Sequence, residues 1–251
     1  MIKSVKKAMD ILTILSANAE EPITLSELAE KTGMNKSTCV HIVDTMCESF
    51  YVERVSRKEG YRLGPWAYML SRYGSYHNSL TKISVSVLKW LHKQTCATVF
   101  ISVLCNGRKH IVYHIDDDNI LPMSDGSMIQ GYIETTATGR LLLASLDAEA
   151  FHYTISRRTA DETYSRFEFT QELKDELKSI RTNGYAHVSV DVQQTQSFAF
   201  PVHDSSRVVA ALGILYSNDL DTPEYRAKIM KAGRTAANEI SRRLSFKHAV
   251  I

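Results

Sequence analysis

The apolar residues near the N-terminus recur at the spacing of amphipathic helices. A first helix is indicated by four apolar positions that fall on one side, Val5, Met9, Leu12 and Leu15. A second helix is predicted over residues 25–31, because Thr24 and Glu27 have the spacing of a capping box. Gly33 ends this helix, since glycine readily adopts the left-handed conformation that follows many helices.

A third helix follows this tight turn and has a polar side opposite its apolar side. Asn35 is placed to cap it. Its apolar positions are Cys39, Ile42, Val43 and Met46. Residues 51–63 then form two β-leaning runs around a charged turn with Gly60, which predicts a hairpin. Three helices and a hairpin in this order are typical of a winged helix-turn-helix, whose third helix enters the DNA major groove.

The rest of the chain alternates between helix and strand patterns. An apolar helix pattern over 80–94 precedes two β-branched runs that flank Asn106-Gly107, a strong hairpin signal. Further helices fit 137–146, 148–157, 170–181 and Thr222 to about Leu244, and further strands fit 185–192, 197–203 and 207–216. These elements predict an α+β fold with a mainly antiparallel sheet.

The pattern divides the chain into three parts. We expect a winged helix-turn-helix over 1–64, a helical linker over 65–79 and a larger α+β domain over 80–251. The linker is rich in large apolar side chains, Trp66, Tyr68, Met69 and Tyr73. Because such side chains are costly to expose, the linker is expected either to pack against a domain or to contact a second copy of the chain.

The first 64 residues carry no net charge, but their basic residues are clustered. Up to Gly64 the chain has nine Lys or Arg and nine Asp or Glu, so bulk charge gives no support for nucleic-acid binding. The basic residues nevertheless cluster at the two ends of this segment, in Lys3, Lys6 and Lys7 and in Arg54, Arg57, Lys58 and Arg62. These clusters are two possible sites of contact with DNA phosphates.

Candidate chemistry elsewhere is sparse. The four cysteines form no CxxC pair and are expected to be thiols in a reducing cytoplasm. No apolar run approaches the roughly 18 residues of a membrane span. His110 and His114 lie near three aspartates, but four strand residues separate the two histidines by about 13 Å, too far to share a metal. The sequence predicts no enzyme, metal or cofactor.

Six motifs resemble the IclR family of bacterial transcriptional regulators, in the family's order and near its spacing. They are SVKKAMDIL, LSELAEKTGMNKSTCVHIVDTM, YRLG, TATGRLLLA, IRTNGYA and VVAALGI. The resemblance implies a winged helix-turn-helix followed by a GAF-like effector-binding domain. It also implies three kinds of partner: a double-stranded palindromic DNA operator, a small-molecule effector, and further copies of the chain in a homodimer or homotetramer.

The resemblance also implies which residues contact DNA. The opening of the recognition helix provides the candidates Asn35, Lys36, Ser37, Thr38 and His41, and the basic cluster of the hairpin adds Arg57 and Lys58. His41 stands where the family commonly has arginine, which removes a bidentate fork and retunes that contact. Phe50 stands where the family usually has glycine. Because a bulky residue tolerates positive φ poorly, the chain is expected to enter the wing differently here.

For the effector, the resemblance implies a pocket at the start of a helix. The candidates are Thr135, Thr136, Ala137, Gly139, Asp191, Ser197 and Leu215. Free N–H groups at a helix start favour an anion, so the expected ligand is a small organic acid, with apolar bulk from Phe198, Phe200, Leu215 and Tyr216. Since side chains alternate along a strand, either Phe198 and Phe200 or Ser197 and Ala199 line the pocket, not both pairs.

Two alternatives to a ligand-responsive regulator remain open at the level of the sequence. If the phenylalanines only fill the core, the second domain could have lost effector binding. The neutral charge of the N-terminal part is also compatible with a dimeric interaction module that does not bind DNA.

Overall fold

The structure is a computed structural model, and it describes residues 2–18, 21–56, 58–73, 78–116, 129–130, 133–159, 170–190 and 194–248. The chain separates into two compact units, Met1–Tyr76 and His77–Ile251. Within the described residues, no helix has the length and apolar content needed to cross a membrane.

The described residues of the first unit form four helices and a hairpin. Its elements are α1 Lys3–Ser16, α2 Leu25–Thr32, α3 Lys36–Glu48, β1 Val52–Ser56, β2 Gly60–Leu63 and α4 Pro65–Tyr73. Thr24 forms the predicted capping box with Glu27, and Gly33 ends α2 at φ 62°. Ile11, Leu28 and Val43 are fully buried where α1, α2 and α3 meet. The predicted helices and hairpin of this unit are confirmed.

Ile23 joins the hairpin to the three-helix core. Its backbone N–H and C=O each bond to Tyr61 at 2.8 Å, so residue 23 adds a short bridge beside β2. A Cβ on Gly60 would meet the Ile23 carbonyl oxygen at 2.2 Å, and Gly60 has φ 103°. Only glycine fits at this position without a shift of the backbone.

Phe50 corrects the expectation that the chain enters the wing differently. It adopts φ 61°, the left-handed conformation that a glycine would adopt there. Its N–H bonds to the Cys47 carbonyl at 3.0 Å, and the Tyr51 N–H bonds to the Met46 carbonyl at 2.9 Å. These two bonds form a Schellman motif. The motif satisfies the last carbonyls of α3 and holds the left-handed conformation in spite of the aromatic side chain.

The second unit is a six-stranded antiparallel sheet with helices on both faces. Its helices are α5 Asn78–Thr95, α6 Ala137–Ala144, α7 Ala148–Thr159, α8 Gln171–Asn183 and α9 Pro223–His248. Its strands are β3 Thr98–Cys105, β4 Arg108–Ile115, β5 Ile129–Gln130, β6 Ala186–Val190, β7 Thr195–Asp204 and β8 Arg207–Ser217. The strand order is β5-β4-β3-β8-β7-β6. The predicted α+β fold with a mainly antiparallel sheet is confirmed.

The two faces of this sheet have different partners. Phe198, Phe200 and Tyr216 lie in the larger core with α5 and α9. Ala199 and Ala211 lie on the opposite face, where α6 and α8 pack. Since side chains alternate along β7, Ser197 shares the second face with Ala199. The expectation that Phe198, Phe200 and Tyr216 supply the apolar bulk of the pocket is therefore wrong, because they fill the core on the other face.

Candidate DNA-binding surface and effector site

Helix α3 turns its polar side to solvent. Cys39, Val43 and Met46 are buried in the core of the first unit, which fixes the orientation of the helix about its axis. The residues predicted to contact DNA at the start of this helix are all exposed, namely Asn35, Lys36, Ser37, Thr38 and His41. Asn35 also caps the helix, because its Oδ1 accepts the backbone N–H of Thr38 at 2.7 Å.

The basic cluster at the start of α1 is partly neutralised. Lys6 forms an ion pair with Asp10 at 3.0 Å, and the Lys7 ammonium donates to the backbone carbonyl of Thr32. Lys3 is exposed and, together with Thr38 and His41, lines a groove of about 660 Å³ between α1 and α3. The structure thus places a cationic side chain beside the exposed side of α3.

Two basic side chains of the hairpin already have partners within it. Arg62 pairs with Glu53 across the strands at 2.9 Å, and the Arg54 guanidinium lies 5.7 Å from the centre of the Tyr61 ring. Lys58 is exposed in the turn, whereas Arg57 lies outside the described residues. Lys58 is therefore an exposed cationic side chain at the tip of the hairpin.

In the second unit, the loop into α6 forms a compact helix start. Thr136 caps α6, because its Oγ1 accepts the backbone N–H of Gly139 at 3.2 Å. Ala137 and Gly139 are buried, and Thr135 is exposed. A Cβ on Gly139 would meet the Ile133 carbonyl oxygen at 1.8 Å, so α6 lies directly against the 3₁₀ turn Ile133–Thr135.

The predicted residues on the strands are brought together in part. Ser197 on β7 and Leu215 on β8 are directly paired across the sheet. They lie on the face that α6 covers, because Gly213 and Ala199 pair at the next position on that face and Ala199 packs with α6. Asp191 lies outside the described residues. The helix start and the Ser197–Leu215 pair therefore belong to one face of the sheet.

Sequence reasoning missed Lys109, whose side chain contacts the start of α6. The Lys109 side chain is only 1% exposed. Its Nζ donates to Thr136 Oγ1 at 3.3 Å and to Thr138 Oγ1 at 3.2 Å, and it lies 5.8 Å from the centre of the Phe100 ring. Burial lowers the pKa of this amine to about 7. The signal was the strand alternation after Gly107, which puts Lys109 on the same face as the buried Ile111.

Three hydroxyl groups on this face have no hydrogen-bond partner among the described residues. They belong to Thr98, Ser102 and Thr195, whose side chains are all buried. Thr98 pairs with Leu215 and Ser102 with Ala211, which places both hydroxyls on the α6 side of the sheet. An unsatisfied buried hydroxyl costs on the order of 1–3 kcal/mol, so each of the three would gain from a polar partner outside the described residues.

The part of the chain that the structure describes contains no group of three histidine, cysteine or acidic side chains arranged to hold a metal ion. Of the residues near the two histidines that the sequence analysis considered, Asp116 Oδ1 lies 3.8 Å from His114 Nε2.

Comparisons with known proteins identify the family. The profile of the IclR helix-turn-helix domain matches residues 4–56, and the profile of the bacterial transcriptional regulator IclR C-terminal domain matches residues 75–242. The chain belongs to the IclR family. As in that family, the first unit carries a DNA-binding helix-turn-helix and the second is an effector-binding domain, so the resemblance seen in the sequence is confirmed.

Curated relatives of this IclR-family chain are transcriptional regulators rather than enzymes. The glycerol operon regulatory protein of Streptomyces coelicolor is 29% identical over 261 residues, which cover 97% of this chain and 96% of that protein. The HTH-type transcriptional regulator KdgR of Dickeya chrysanthemi is 26% identical over 250 residues, covering 97% of this chain and 81% of that protein.

Among solved structures, an IclR homologue from Microbacterium hydrocarbonoxydans complexed with 4-hydroxybenzoate superposes with a TM-score of 0.77. It has 17% identity, and the match covers 96% of this chain and 98% of that one. The Thermotoga maritima IclR has a TM-score of 0.70 and 24% identity, covering 98% and 100%. At these identities the two structures support the fold alone.

Proposed function

We propose that this regulator binds a palindromic operator as a dimer or tetramer, and that a small organic acid bound to the second unit changes its affinity for DNA. DNA binding is supported by one observation on α3. The polar residues at the start of this helix are exposed, while its apolar side is buried in the core of the first unit. A recognition helix must present such a side at its N-terminal end to reach base edges.

The charges along α3 limit how much of the helix enters the groove. Lys36 lies in the first turn, whereas Asp44 and Glu48 are exposed further along. Carboxylates repel DNA phosphates, so only the first two turns are suited to the groove. Lys36 is then placed to meet a phosphate, and Ser37, Thr38 and His41 are placed to meet base edges.

Assembly into a dimer is supported by exposed apolar side chains on α4. Trp66 is 45% exposed, Tyr68 55% and Leu70 51%. Contact with a second copy would remove these side chains from water. A two-fold dimer also matches the symmetry of a palindromic operator, and sedimentation at micromolar protein concentration measures it directly.

The test is a gel shift with the DNA upstream of the protein's own gene, repeated at several salt concentrations. Lys36→Ala should weaken binding to all sequences and lower the salt slope by about one counterion for each phosphate that the lysine no longer neutralises. Lys231→Ala, which removes an exposed charge from α9, is the matched control and should leave the slope unchanged.

The same assay separates phosphate contact from base reading. His41→Arg should change which operator variants bind best, because arginine offers a bidentate fork to guanine and an imidazole ring does not. An unchanged operator preference in His41→Arg, together with an unchanged salt slope in Lys36→Ala, would contradict the assignment. If the wild type binds no DNA at all, the chain is an interaction module instead.

The organic acid is supported by the helix start at α6. Thr136 and the first N–H groups of the helix lie on the same face of the sheet as Ser197 and Leu215, and a helix start of this kind favours an anion. The bound 4-hydroxybenzoate of the Microbacterium homologue is itself a carboxylate. A change in operator affinity on addition of an acid, measured in the same gel shift, tests this part.

A further inference from the structure

We propose that Lys109 is the cation that binds the carboxylate of the effector, and that the effector is a hydroxylated monocarboxylate with a hydroxyl group that bonds to Ser102. The proposal rests on the proposed function, since it names the ligand class and the charged group of the same site.

The partners of Lys109 show that its ammonium lacks an anion among the described residues. Thr136 and Thr138 supply neutral hydroxyls at 3.3 and 3.2 Å. A charge-assisted bond from an ammonium to a carboxylate is shorter, about 2.7–2.9 Å. An ammonium has three protons to donate, and these two hydroxyls use two of them. One donor of Lys109 therefore remains for a ligand.

The residues around Lys109 are mainly uncharged. The ammonium lies over the Phe100 ring. That ring packs against Gly213, where a Cβ would meet the ring edge at 2.3 Å. The cross-strand neighbours of Lys109 are Leu104 and Gln130, and neither carries a charge. Arg140 is the charged residue of α6, and its guanidinium donates to the Glu176 carboxylate at 2.5 Å. A buried cation with such neighbours gains most from a ligand that brings its own negative charge.

One of the three hydroxyls lies close enough to Lys109 to share a small ligand with it. Ser102 is on the same face, two residues along β3 from Leu104, the cross-strand partner of Lys109. Such diagonal neighbours are about 7–8 Å apart, a distance that a short hydroxy acid can bridge. Thr98 is four residues further along β3, about 13 Å from Ser102, and Thr195 is two strands away, so neither reaches the same small acid. Because the Ser102 hydroxyl is buried and without a partner in the described chain, it selects a hydroxyl group over a methyl group.

The experiment measures binding by calorimetry and thermal shift with two matched series of probes. The three-carbon series is glycerate, glycerol and propionate, and the six-carbon series is gluconate, sorbitol and hexanoate. Each series contains a hydroxy acid, its hydroxyls without the charge, and its charge without the hydroxyls. We expect the hydroxy acid of at least one series to bind about tenfold or more tightly than either analogue.

The variants assign the binding to Lys109. Lys109→Met keeps the length of the side chain, removes the charge and should abolish the response to the hydroxy acid. Lys89→Met, the same change at an exposed lysine of α5, should leave it intact. Ser102→Ala should weaken the hydroxy acid several-fold and leave propionate or hexanoate unchanged. A purely structural Lys109 would not produce this difference between ligands.

The pH profile provides a second readout. The ammonium form is needed for the acid, so affinity should be constant below about pH 7 and fall about tenfold per unit above it. The groups in contact with the amine are the hydroxyls of Thr136 and Thr138 and the ring of Phe100, and none of these titrates in that range. The charged residues of the elements that carry these hydroxyls are Glu134, on the 3₁₀ turn before Thr136, and Arg140 on α6.

Three results overturn the proposal: no hydroxy acid binds better than its polyol, Lys109→Met retains affinity within twofold, or affinity does not change between about pH 6 and pH 9. The gel shift with operator DNA is run in parallel. If Lys109→Met binds operator as the wild type does but no longer responds to the acid, both proposals stand. If the wild type binds operator and no acid, only the effector assignment fails.

Discussion

Phe50 holds the left-handed backbone conformation that ends helix α3, although its side chain is 59% exposed. A residue with a Cβ adopts this conformation at a cost of the order of 1–3 kcal/mol. The two hydrogen bonds of the Schellman motif and the packing of the apolar side of α3 in the core offset this cost. Strain is therefore stored at the junction of the recognition helix and the wing.

We expect Phe50→Gly to stabilise the first unit by about 1 kcal/mol, because glycine adopts the left-handed conformation without strain and the ring that it removes is largely in water. Urea unfolding followed by a signal from the first unit measures the change. Phe50→Ala is the control, since it removes the ring and keeps the Cβ, and it should give no such gain. Equal stability of the glycine and alanine variants would show that the backbone is not strained.

Single residues are also where the sequence predicted least. Asn35 could be assigned as a cap because its oxygen bonds only three residues along the chain. Lys109 could not be recognised in the same way, since the hydroxyls that it contacts lie 27 and 29 residues further on. Contacts of this kind depend on how the sheet and α6 pack, which periodicity does not specify.

At the scale of elements, α6 depends on one close approach. Gly139 lies against the carbonyl oxygen of Ile133, and this contact sets the position of the helix start that carries Thr136. Alanine would favour the helix by its intrinsic propensity, but its methyl group would force α6 away from the 3₁₀ turn.

We expect Gly139→Ala to destabilise the second unit by about 2 kcal/mol, because overpacking against a rigid backbone exceeds the gain in helix propensity. Denaturant unfolding with a signal from the second unit tests this. Gly184→Asn is the control: its φ is 70°, a Cβ there meets nothing within 4 Å, and asparagine tolerates this conformation, so the change should be small. A stability gain in Gly139→Ala would mean that α6 moves without cost.

Elements with local signals were predicted well, and those fixed by distant contacts were not. Caps and breakers such as Thr24, Gly33 and Gly184 act within one turn of the helices that they bound. The strand patterns of β7 and β8 were equally clear, yet the pattern of β7 gave two possible pocket faces. Packing against α5 and α9 places Phe198 and Phe200 in the core, so Ser197 and Ala199 are on the face where α6 packs.

At the scale of the whole molecule, the buried amine of Lys109 makes stability depend on pH. Its pKa is about 7 in the folded state and 10.5 ordinarily. Below pH 7 the amine is charged in both states, and the full cost of burying it is present. Between these values the unfolded chain binds more protons, so the free energy of unfolding rises with pH. Above 10.5 the cost is gone.

We therefore expect the wild type to gain a few kcal/mol of stability relative to Lys109→Met as the pH rises from about 7 towards 10.5. Urea unfolding of both proteins at a series of pH values measures the difference, in which the titration of shared tyrosines and cysteines cancels. Lys89→Met should run parallel to the wild type throughout. A constant difference between wild type and Lys109→Met would place the amine in water.

The two faces of the six-stranded sheet also bear on how this protein can diverge. Neighbouring residues of β7 belong to different faces, so Ser197 lies on the side of α6 while Phe198 lies in the core with α5 and α9. If the effector binds on the side of α6, as proposed, substitutions at alternate positions alter which metabolite is sensed while the packed core is inherited unchanged. A lineage of such regulators can then explore new effectors residue by residue, and laboratory selection for a new sensor can confine its library to Thr98, Ser102, Thr195 and Ser197.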